Sequence, residues 1–132
     1  MKYLLDTDIC VYFLNKDAKI VERIGVLADD DLAISIITLA ELQFGAYNSM
    51  HKEYNLKRVD YLAQNVKVIP MNEAITEFYA KTKVDLRKAG TPLADFDILI
   101  GVTAIVHDLT LVTNNDKHFA RINNLRIENW RH

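Results

Sequence analysis

Short apolar runs along the chain alternate with longer stretches in which apolar side chains recur at helical spacing. The runs predict five strands, at residues 2–5, 32–37, 66–69, 109–113 and 125–128. The stretches between them predict helices, at residues 9–14, 21–27, 38–47, 52–64, 72–89, 96–107 and 118–122. Strands separated by helices are typical of parallel βαβ units. The pattern therefore predicts an α/β fold, a three-layer α/β/α sandwich around a central, mostly parallel sheet.

The size and composition predict one domain over residues 1–132. The chain is 50% hydrophobic, which at this length provides for one core. No apolar stretch is long enough to cross a membrane, and the N-terminal residues do not resemble a signal peptide. The single cysteine, Cys10, excludes an internal disulfide and fits a reducing compartment. We therefore expect a cytoplasmic protein in which Cys10 fills the core. The formal net charge of −2 indicates no particular partner.

Three acidic residues stand beside apolar runs, where a strand or turn gives way to a helix. They are Asp6, Glu41 and Asp97. Because the carboxyl ends of parallel strands meet at one edge of a sheet, these side chains can converge there. Carboxylates held close together repel and raise one another's pKa, so such a site needs protons or a hard divalent cation. This points to magnesium or manganese chemistry.

Each acid also has a purely structural explanation. Asp6 can cap a turn, Glu41 can complete a capping box headed by Thr38, and Asp97 lies where a helix dipole favours negative charge. However, Asp6 ends a strand expected to be buried, and an almost unbroken apolar run follows Asp97. Because unpaired buried carboxylates are costly, we expect these acids to share a ligand.

The residues around these acids carry a resemblance that extends over nearly the whole chain. Four segments carry it, in family order: LLDTDIC (4–10), SIITLAEL (35–42), GTPLADFDILI (90–100) and VTNNDKHF (112–119). The sequence resembles the PIN-domain ribonucleases, and more narrowly the VapC-type toxins of bacterial type II toxin–antitoxin pairs. Two positions depart from the family pattern. Asp8 stands where relatives often carry Asn, and Asn115 stands where many carry Asp.

The resemblance implies a magnesium-dependent endoribonuclease, with manganese as a substitute ion. It implies that Asp6 and Asp97 are metal ligands. Glu41 would be a ligand through water or a base that orients water, and Asp116 would be a fourth catalytic and metal-binding acid. Hydrogen bonds that orient these acids are expected from Thr7, Asp8, Thr113 and Asn115, whereas Asp95 is expected to cap a helix.

The resemblance also implies partners. A small VapB-type antitoxin is expected to pack an apolar segment on the first helix and on the helix with Leu42, Phe44 and Tyr47, and to point a basic side chain at the acids. A homodimer and an RNA substrate are expected, with tRNA, possibly the anticodon loop of initiator tRNA, as the first candidate. The phosphate contacts would come from basic side chains on two helices, Lys52, Lys57, Arg58, Lys81, Lys83, Arg87 and Lys88.

Two other functions remain open at this point. In a haloacid-dehalogenase-like phosphatase, Asp6 would be the nucleophile and Asp8 the acid/base, although no later lysine and paired-acid motif is evident. A non-catalytic dimeric binding module would carry a similar sequence. The histidines show no zinc-site spacing and are interpreted as surface or packing residues. Six aromatic residues at helical spacing are interpreted chiefly as core, Phe44, Tyr47, Tyr54, Tyr61, Phe78 and Tyr79.

Overall fold

The computed structural model describes residues 1–132, apart from the side chain of Asp29. The strands are β1 (Tyr3–Leu5), β2 (Leu32–Ser35), β3 (Lys67–Ile69), β4 (Thr110–Val112) and β5 (Ile127–Glu128). The helices are α1 (Thr7–Leu14), α2 (Ala18–Gly25), α3 (Ile36–Tyr47), α4 (Lys52–Asn65), α5 (Glu73–Lys88), α6 (Asp95–Val106) and α7 (Asp116–Phe119). A 3-10 turn, Asp29–Asp31, precedes β2.

The strands form one sheet in the order β3-β2-β1-β4-β5, and every neighbouring pair is parallel. The predicted α/β sandwich is therefore confirmed, with a wholly parallel sheet among the described residues. The chain winds from β1 outward through β2 to β3 and then crosses to the other side of β1. In such sheets the crevice beside the strand where the winding reverses is the usual ligand site. That crevice lies at the carboxyl ends of β1 and β4.

Side chains that alternate along each strand build a separate core on each face of the sheet. In β1, Leu4 packs into the core under α5 and α6, whereas Leu5 packs into the core under α1 to α4. In β2, Ala33 joins the first core and Ile34 the second. Both faces are thus covered, which explains why the strands read as continuous apolar runs. Cys10 is fully buried in the second core, as predicted.

Several element boundaries differ from the sequence prediction because a different polar residue caps the helix. Asp6, not Asp8, is the N-cap of α1. The predicted strand 32–37 ends at Ser35, whose hydroxyl caps α3 by accepting the Thr38 N–H at 3.0 Å. Thr38 therefore lies inside α3, so the structural explanation of Glu41 as part of a capping box headed by Thr38 is wrong. Asp17 caps α2 and starts it earlier than predicted.

The prediction that the helical aromatic residues form core is wrong for most of them. Phe44, Tyr47, Tyr54 and Tyr61 are each more than half exposed, and Phe78 is 44% exposed. Tyr79 alone of the six packs partly against a core. The helices that carry these side chains already cover the sheet through other positions, such as Leu42 and Leu62. The aromatic residues thus remain available to contact other molecules.

In the part of the chain that is described, no helix combines the length and apolarity needed to cross a bilayer.

Candidate active site

Three elements bring acidic side chains to the carboxyl edge of the sheet. Asp6 directly follows β1, and Glu41 and Asp97 lie on α3 and α6. An open cavity of about 440 Å³ lies between these elements. The polar residues in its lining are Asp6, Thr7, Asp8, Tyr12, Glu41, Asp97 and Asn115. The structure therefore brings Asp6, Glu41 and Asp97, the three acids that the sequence analysis singled out, to one cavity at the crevice beside β1 and β4.

Asp6 is the most buried of these acids, at 6% exposure. Its Oδ1 accepts the Thr7 backbone N–H at 2.8 Å, and its Oδ2 accepts the Thr113 hydroxyl at 2.8 Å. Burial, first, and then the charge of Asp8 raise the pKa of Asp6 to about 7, although the bonds from Thr113 and Thr7 oppose this shift. The folded protein thus holds a carboxyl group that is only partly ionised near neutral pH.

Asp8 lies next to Asp6 and carries a carboxylate oxygen without a partner. Its Oδ1 is buried and accepts no hydrogen bond from any side chain or backbone group that the structure describes. A buried, unpaired carboxylate oxygen is costly in free energy unless a donor or a cation reaches it. Two adjoining carboxylates, one with a raised pKa and one with an unpaired oxygen, are therefore suited to hold a cation between them.

Glu41 is oriented by hydroxyl groups from two helices. The Thr7 hydroxyl lies 2.6 Å from Glu41 Oε1 and 3.1 Å from the Thr38 hydroxyl. Because a carboxylate can only accept, the Thr7 hydroxyl uses its one O–H to donate a hydrogen bond to Glu41 Oε1. Thr38 in turn contacts Ser35, the residue that caps α3. The cap at the end of β2 is thereby connected to the carboxylate in the cavity.

Asp97 contacts a residue that the sequence interpretation had set aside. His118 Nε2, from α7, lies 2.9 Å from Asp97 Oδ2. The His118 side chain is 25% exposed and the Asp97 side chain 32% exposed. The interpretation of His118 as a surface or packing residue is therefore incomplete. Its position inside the segment VTNNDKHF was the only available signal, because a lone histidine shows no ligand spacing.

The fourth segment contributes Asn115 to the cavity and leaves Asp116 outside its lining. The Asn115 backbone N–H donates to the Thr113 hydroxyl at 3.0 Å, so this turn supports the hydroxyl that binds Asp6. Asp116 is exposed and accepts a bond from Asn129 Nδ2 at 3.3 Å. Asp95 does not cap α6 as expected, since Ala94 is the N-cap. It binds Lys83 and Tyr79 instead, and the bond from Lys83 lowers the pKa of Asp95.

The acids line the cavity without enclosing a common point. Over the side chains described, no three of the histidine, cysteine, aspartate and glutamate residues approach one another closely enough to hold an ion by themselves. Magnesium does not require such a cluster, since it keeps several waters and binds through one or two carboxylates. The all-oxygen donors Asp6, Asp8 and Asp97, with the unpaired oxygen of Asp8, fit a hydrated hard cation.

A groove adjoins this cavity on the α1 and α4 side. Thr7 and Glu41 line both the acidic cavity and a neighbouring one of about 240 Å³. Leu14 and Arg58 connect that cavity to a wider depression of about 920 Å³. The depression is lined by apolar and basic side chains, chiefly Phe13, Val21, Tyr54, Tyr61, Lys16 and Lys57. A continuous path therefore leads from an apolar, basic surface to the acids.

The fold and the acidic cavity agree with the comparisons with known proteins. The PIN domain family matches residues 3–125. Ribonuclease VapC2 of Rickettsia felis is 40% identical over 132 residues, covering 98% of each chain. The tRNA(fMet)-specific endonuclease VapC of Shigella flexneri is 34% identical over 131 residues, covering 98% of each chain. A chain in the crystal structure of VapBC2 from Rickettsia felis bound to a promoter DNA fragment superimposes with a TM-score of 0.92 at 39% identity, covering 98% of this chain and 99% of that chain.

The likeness covers the whole site rather than the fold alone, because residues 3–125 include every acid in the cavity. PIN-domain ribonucleases generally depend on a divalent metal. The chain belongs to the PIN-domain family and, within it, to the VapC-type ribonucleases.

Proposed function

We propose that this chain is a magnesium-dependent endoribonuclease that acts in the cytoplasm as the toxin of a toxin–antitoxin pair. Residues 1–132 would act as one PIN domain. The observation that carries the proposal is the meeting of Asp6, Glu41 and Asp97 at one cavity beside β1 and β4, in a chain 40% identical to a VapC ribonuclease.

In this proposal Asp6 and Asp97 hold the cation, and the unpaired oxygen of Asp8 adds a third carboxylate. When bound, a divalent cation supplies charge to a scissile phosphate and lowers the pKa of an attacking water. Glu41 would orient that water, because it lines the cavity and the 2.6 Å bond from the Thr7 hydroxyl holds its carboxylate through Oε1. Thr113 holds Asp6 through Oδ2. Magnesium is favoured over softer ions because all of these donors are carboxylate oxygens.

The phosphatase alternative is not supported. The PIN domain family matches residues 3–125, and the lysine and paired-acid motif that a phosphatase with a nucleophilic Asp6 requires is not evident in the sequence. The pKa of Asp6, raised to about 7 by burial and by the charge of Asp8, is expected for a carboxylate whose charge a bound cation balances.

A tRNA is the proposed substrate, because the Shigella flexneri relative is named as a tRNA(fMet)-specific endonuclease. Single-stranded loops are recognised by stacking on aromatic rings and by contacts from basic side chains to phosphates. Lys52 and Lys57 on α4 and Arg87 and Lys88 on α5 make no ion pair within the described residues, and are the proposed phosphate contacts. Lys81 and Lys83 are weaker candidates because they pair with Glu77 and Asp95.

The activity is tested by incubating the purified chain with total tRNA and with initiator tRNA. We expect a discrete internal cut that EDTA stops and that added Mg²⁺ or Mn²⁺ restores. Asp6→Asn and Asp97→Asn should abolish cleavage, Glu41→Gln should impair it severely, and Asp116→Asn should retain much of it. Asp60→Asn, an exposed acid on α4, is the matched control and should cleave normally. Full activity of the Asp6 and Asp97 variants would refute the proposed site. Rapid hydrolysis of a phosphate monoester with intact tRNA would favour the phosphatase.

We propose a VapB-type antitoxin as the partner of the groove that leads from Tyr54 and Tyr61 to Glu41. Two observations support this: exposed aromatic side chains line the groove, and it opens onto acids that a basic antitoxin side chain can neutralise. Tyr61→Ala should weaken antitoxin binding, measured by calorimetry, without changing tRNA cleavage by the free toxin. Phe78→Ala, exposed on the opposite layer, is the control. Equal binding by both variants would place the antitoxin elsewhere.

A homodimer is also proposed. Phe44, Tyr47 and Met50 are 70%, 64% and 96% exposed and do not line the groove, so they offer a separate apolar surface. Light scattering of the purified toxin measures its mass. A monomer at micromolar concentration would argue against the dimer.

A further inference from the structure

The contact between α6 and α7 at the cavity joins a candidate metal ligand to a histidine. Asp97 Oδ2 lies 2.9 Å from His118 Nε2, and the two residues are 21 positions apart in sequence. Because a carboxylate can only accept, Nε2 is protonated and its N–H donates a hydrogen bond to Oδ2. Within the described residues this is the only hydrogen bond to the Asp97 side chain. The direction of the Asp97 carboxylate is therefore set by one donor.

His118 is itself held in place by its surroundings. Its backbone N–H donates to the Asn115 carbonyl oxygen at 3.2 Å, and its ring meets the ring of Phe119 edge to face at 5.5 Å. Phe119 is 1% exposed and lines the acidic cavity, so it anchors the short helix α7 in the core. The His118 imidazole therefore contacts Asp97 from a helix that is packed in place, whereas the side chains of the neighbouring Lys117 and Asp116 are exposed.

We propose that His118 is a positioning residue that holds the Asp97 carboxylate ready for the divalent cation. The bond from Nε2 restrains Oδ2, and within the described residues no hydrogen bond occupies Oδ1, which remains available to a cation. Hydrogen bonds to a ligating carboxylate typically contribute about 10- to 100-fold to metal affinity. This inference rests on the proposed metal-dependent activity and deepens it, since it adds a residue of α7 to a site otherwise formed by acids and hydroxyl groups.

The test measures cation binding directly and does not require RNA. Mn²⁺ is titrated into the metal-free chain, and free Mn²⁺ is followed by electron paramagnetic resonance. His118→Phe keeps a ring against Phe119 and removes the donor, whereas His118→Gln keeps an N–H donor of similar reach. We expect the Kd for Mn²⁺ to rise about 10- to 100-fold in His118→Phe and to return to within a few-fold of the wild-type value in His118→Gln. His51→Phe, the same change at an exposed position on the other layer, should leave the Kd unchanged.

Circular dichroism and the melting temperature separate loss of the donor from loss of fold. A direct ligand is separated from a positioning residue by electron spin echo spectroscopy of bound Mn²⁺, which detects a coordinated imidazole nitrogen. We expect no such coupling in the wild-type protein. An unchanged Kd in a folded His118→Phe variant would overturn the proposal and leave the proposed nuclease intact. A coordinated nitrogen that is lost in His118→Phe would also overturn the proposal, because His118 would then be a direct ligand. Wild-type protein that binds no Mn²⁺ would overturn both the positioning role of His118 and the proposed metal-dependent nuclease.

Discussion

Among single residues, Asp6 has the largest expected effect on the pH dependence of stability, because it is buried beside Asp8. Burial and the neighbouring charge raise the pKa of Asp6 from 3.8 to about 7. Below about pH 4 this group is protonated in both the folded and the unfolded chain, so it does not affect stability. Between about pH 4 and pH 7 only the unfolded chain ionises, so the folded state loses stability as the pH rises. Above pH 7 the loss is complete, at about 4 kcal/mol.

Asp6→Asn should therefore stabilise the metal-free protein at pH 8 and have little effect at pH 4. The asparagine can keep both contacts, because its Oδ1 accepts from the Thr7 N–H and its amide can donate to the Thr113 hydroxyl. Urea unfolding in EDTA across this pH range measures the change, which should reach a few kcal/mol, about 4 at most. A gain that is equal at pH 4 and pH 8 would mean that relief of charge is not its cause.

At the scale of elements, the start of α3 connects folding to the site. Ser35 ends β2, caps α3 and contacts Thr38, which in turn contacts the Thr7 hydroxyl that binds Glu41. An N-cap contributes about 1 kcal/mol to stability. The loss of this particular cap should also free the hydroxyl groups that orient Glu41. Asn72 caps α5 through the Ile75 N–H at 2.9 Å without any contact to the cavity.

Ser35→Ala and Asn72→Ala should each lower the free energy of unfolding by about 0.5–2 kcal/mol, because each removes one side-chain cap. Only Ser35→Ala should reduce the rate of tRNA cleavage at saturating Mg²⁺. Chemical denaturation and single-turnover cleavage measure the two effects on the same preparations. Equal activities in the two variants would show that the hydroxyl chain does not orient Glu41.

At the scale of the whole molecule, the C-terminal segment connects the sheet to the α1 and α2 layer. Trp130 is 3% exposed and packs in the core under these helices. Its ring meets Tyr3 edge to face at 5.1 Å, and the Arg23 guanidinium of α2 lies 4.9 Å from the ring centroid. Its Nε1 donates to Glu128 of β5 at 3.0 Å. One side chain thus contacts β1, β5 and α2.

Trp130→Ala should lower the free energy of unfolding by about 3–5 kcal/mol, because it removes a large buried side chain and leaves a cavity. Thermal melts and urea titrations of the metal-free protein measure the loss. Val26→Ala, at a side chain that is 79% exposed and lies outside the proposed interfaces, should change stability little and serves as the control. A loss below about 1 kcal/mol for Trp130→Ala would show that the C-terminal segment contributes little to the fold.

The class of fold, the order of elements and the three central acids could all be predicted from the sequence. Local apolar patterns specify strands and helices. An acid that directly follows a buried parallel strand such as β1 lies at the carboxyl edge of the sheet. The family followed from the spaced segments around Asp6, Glu41 and Asp97. The helix ends were less accessible because several polar residues compete for each cap, and Ser35 rather than Thr38 caps α3.

Tertiary packing determines which side chains contact one another. His118 reaches Asp97, and Asn115 rather than Asp116 lines the cavity, and both outcomes depend on how α6 and α7 pack after β4. It also left Tyr54 and Tyr61 outside the core, because the helix that carries them already buries another face. Periodicity reports that a helix has an apolar side. It does not report which of its side chains the rest of the chain covers, since that depends on contacts between residues far apart in sequence.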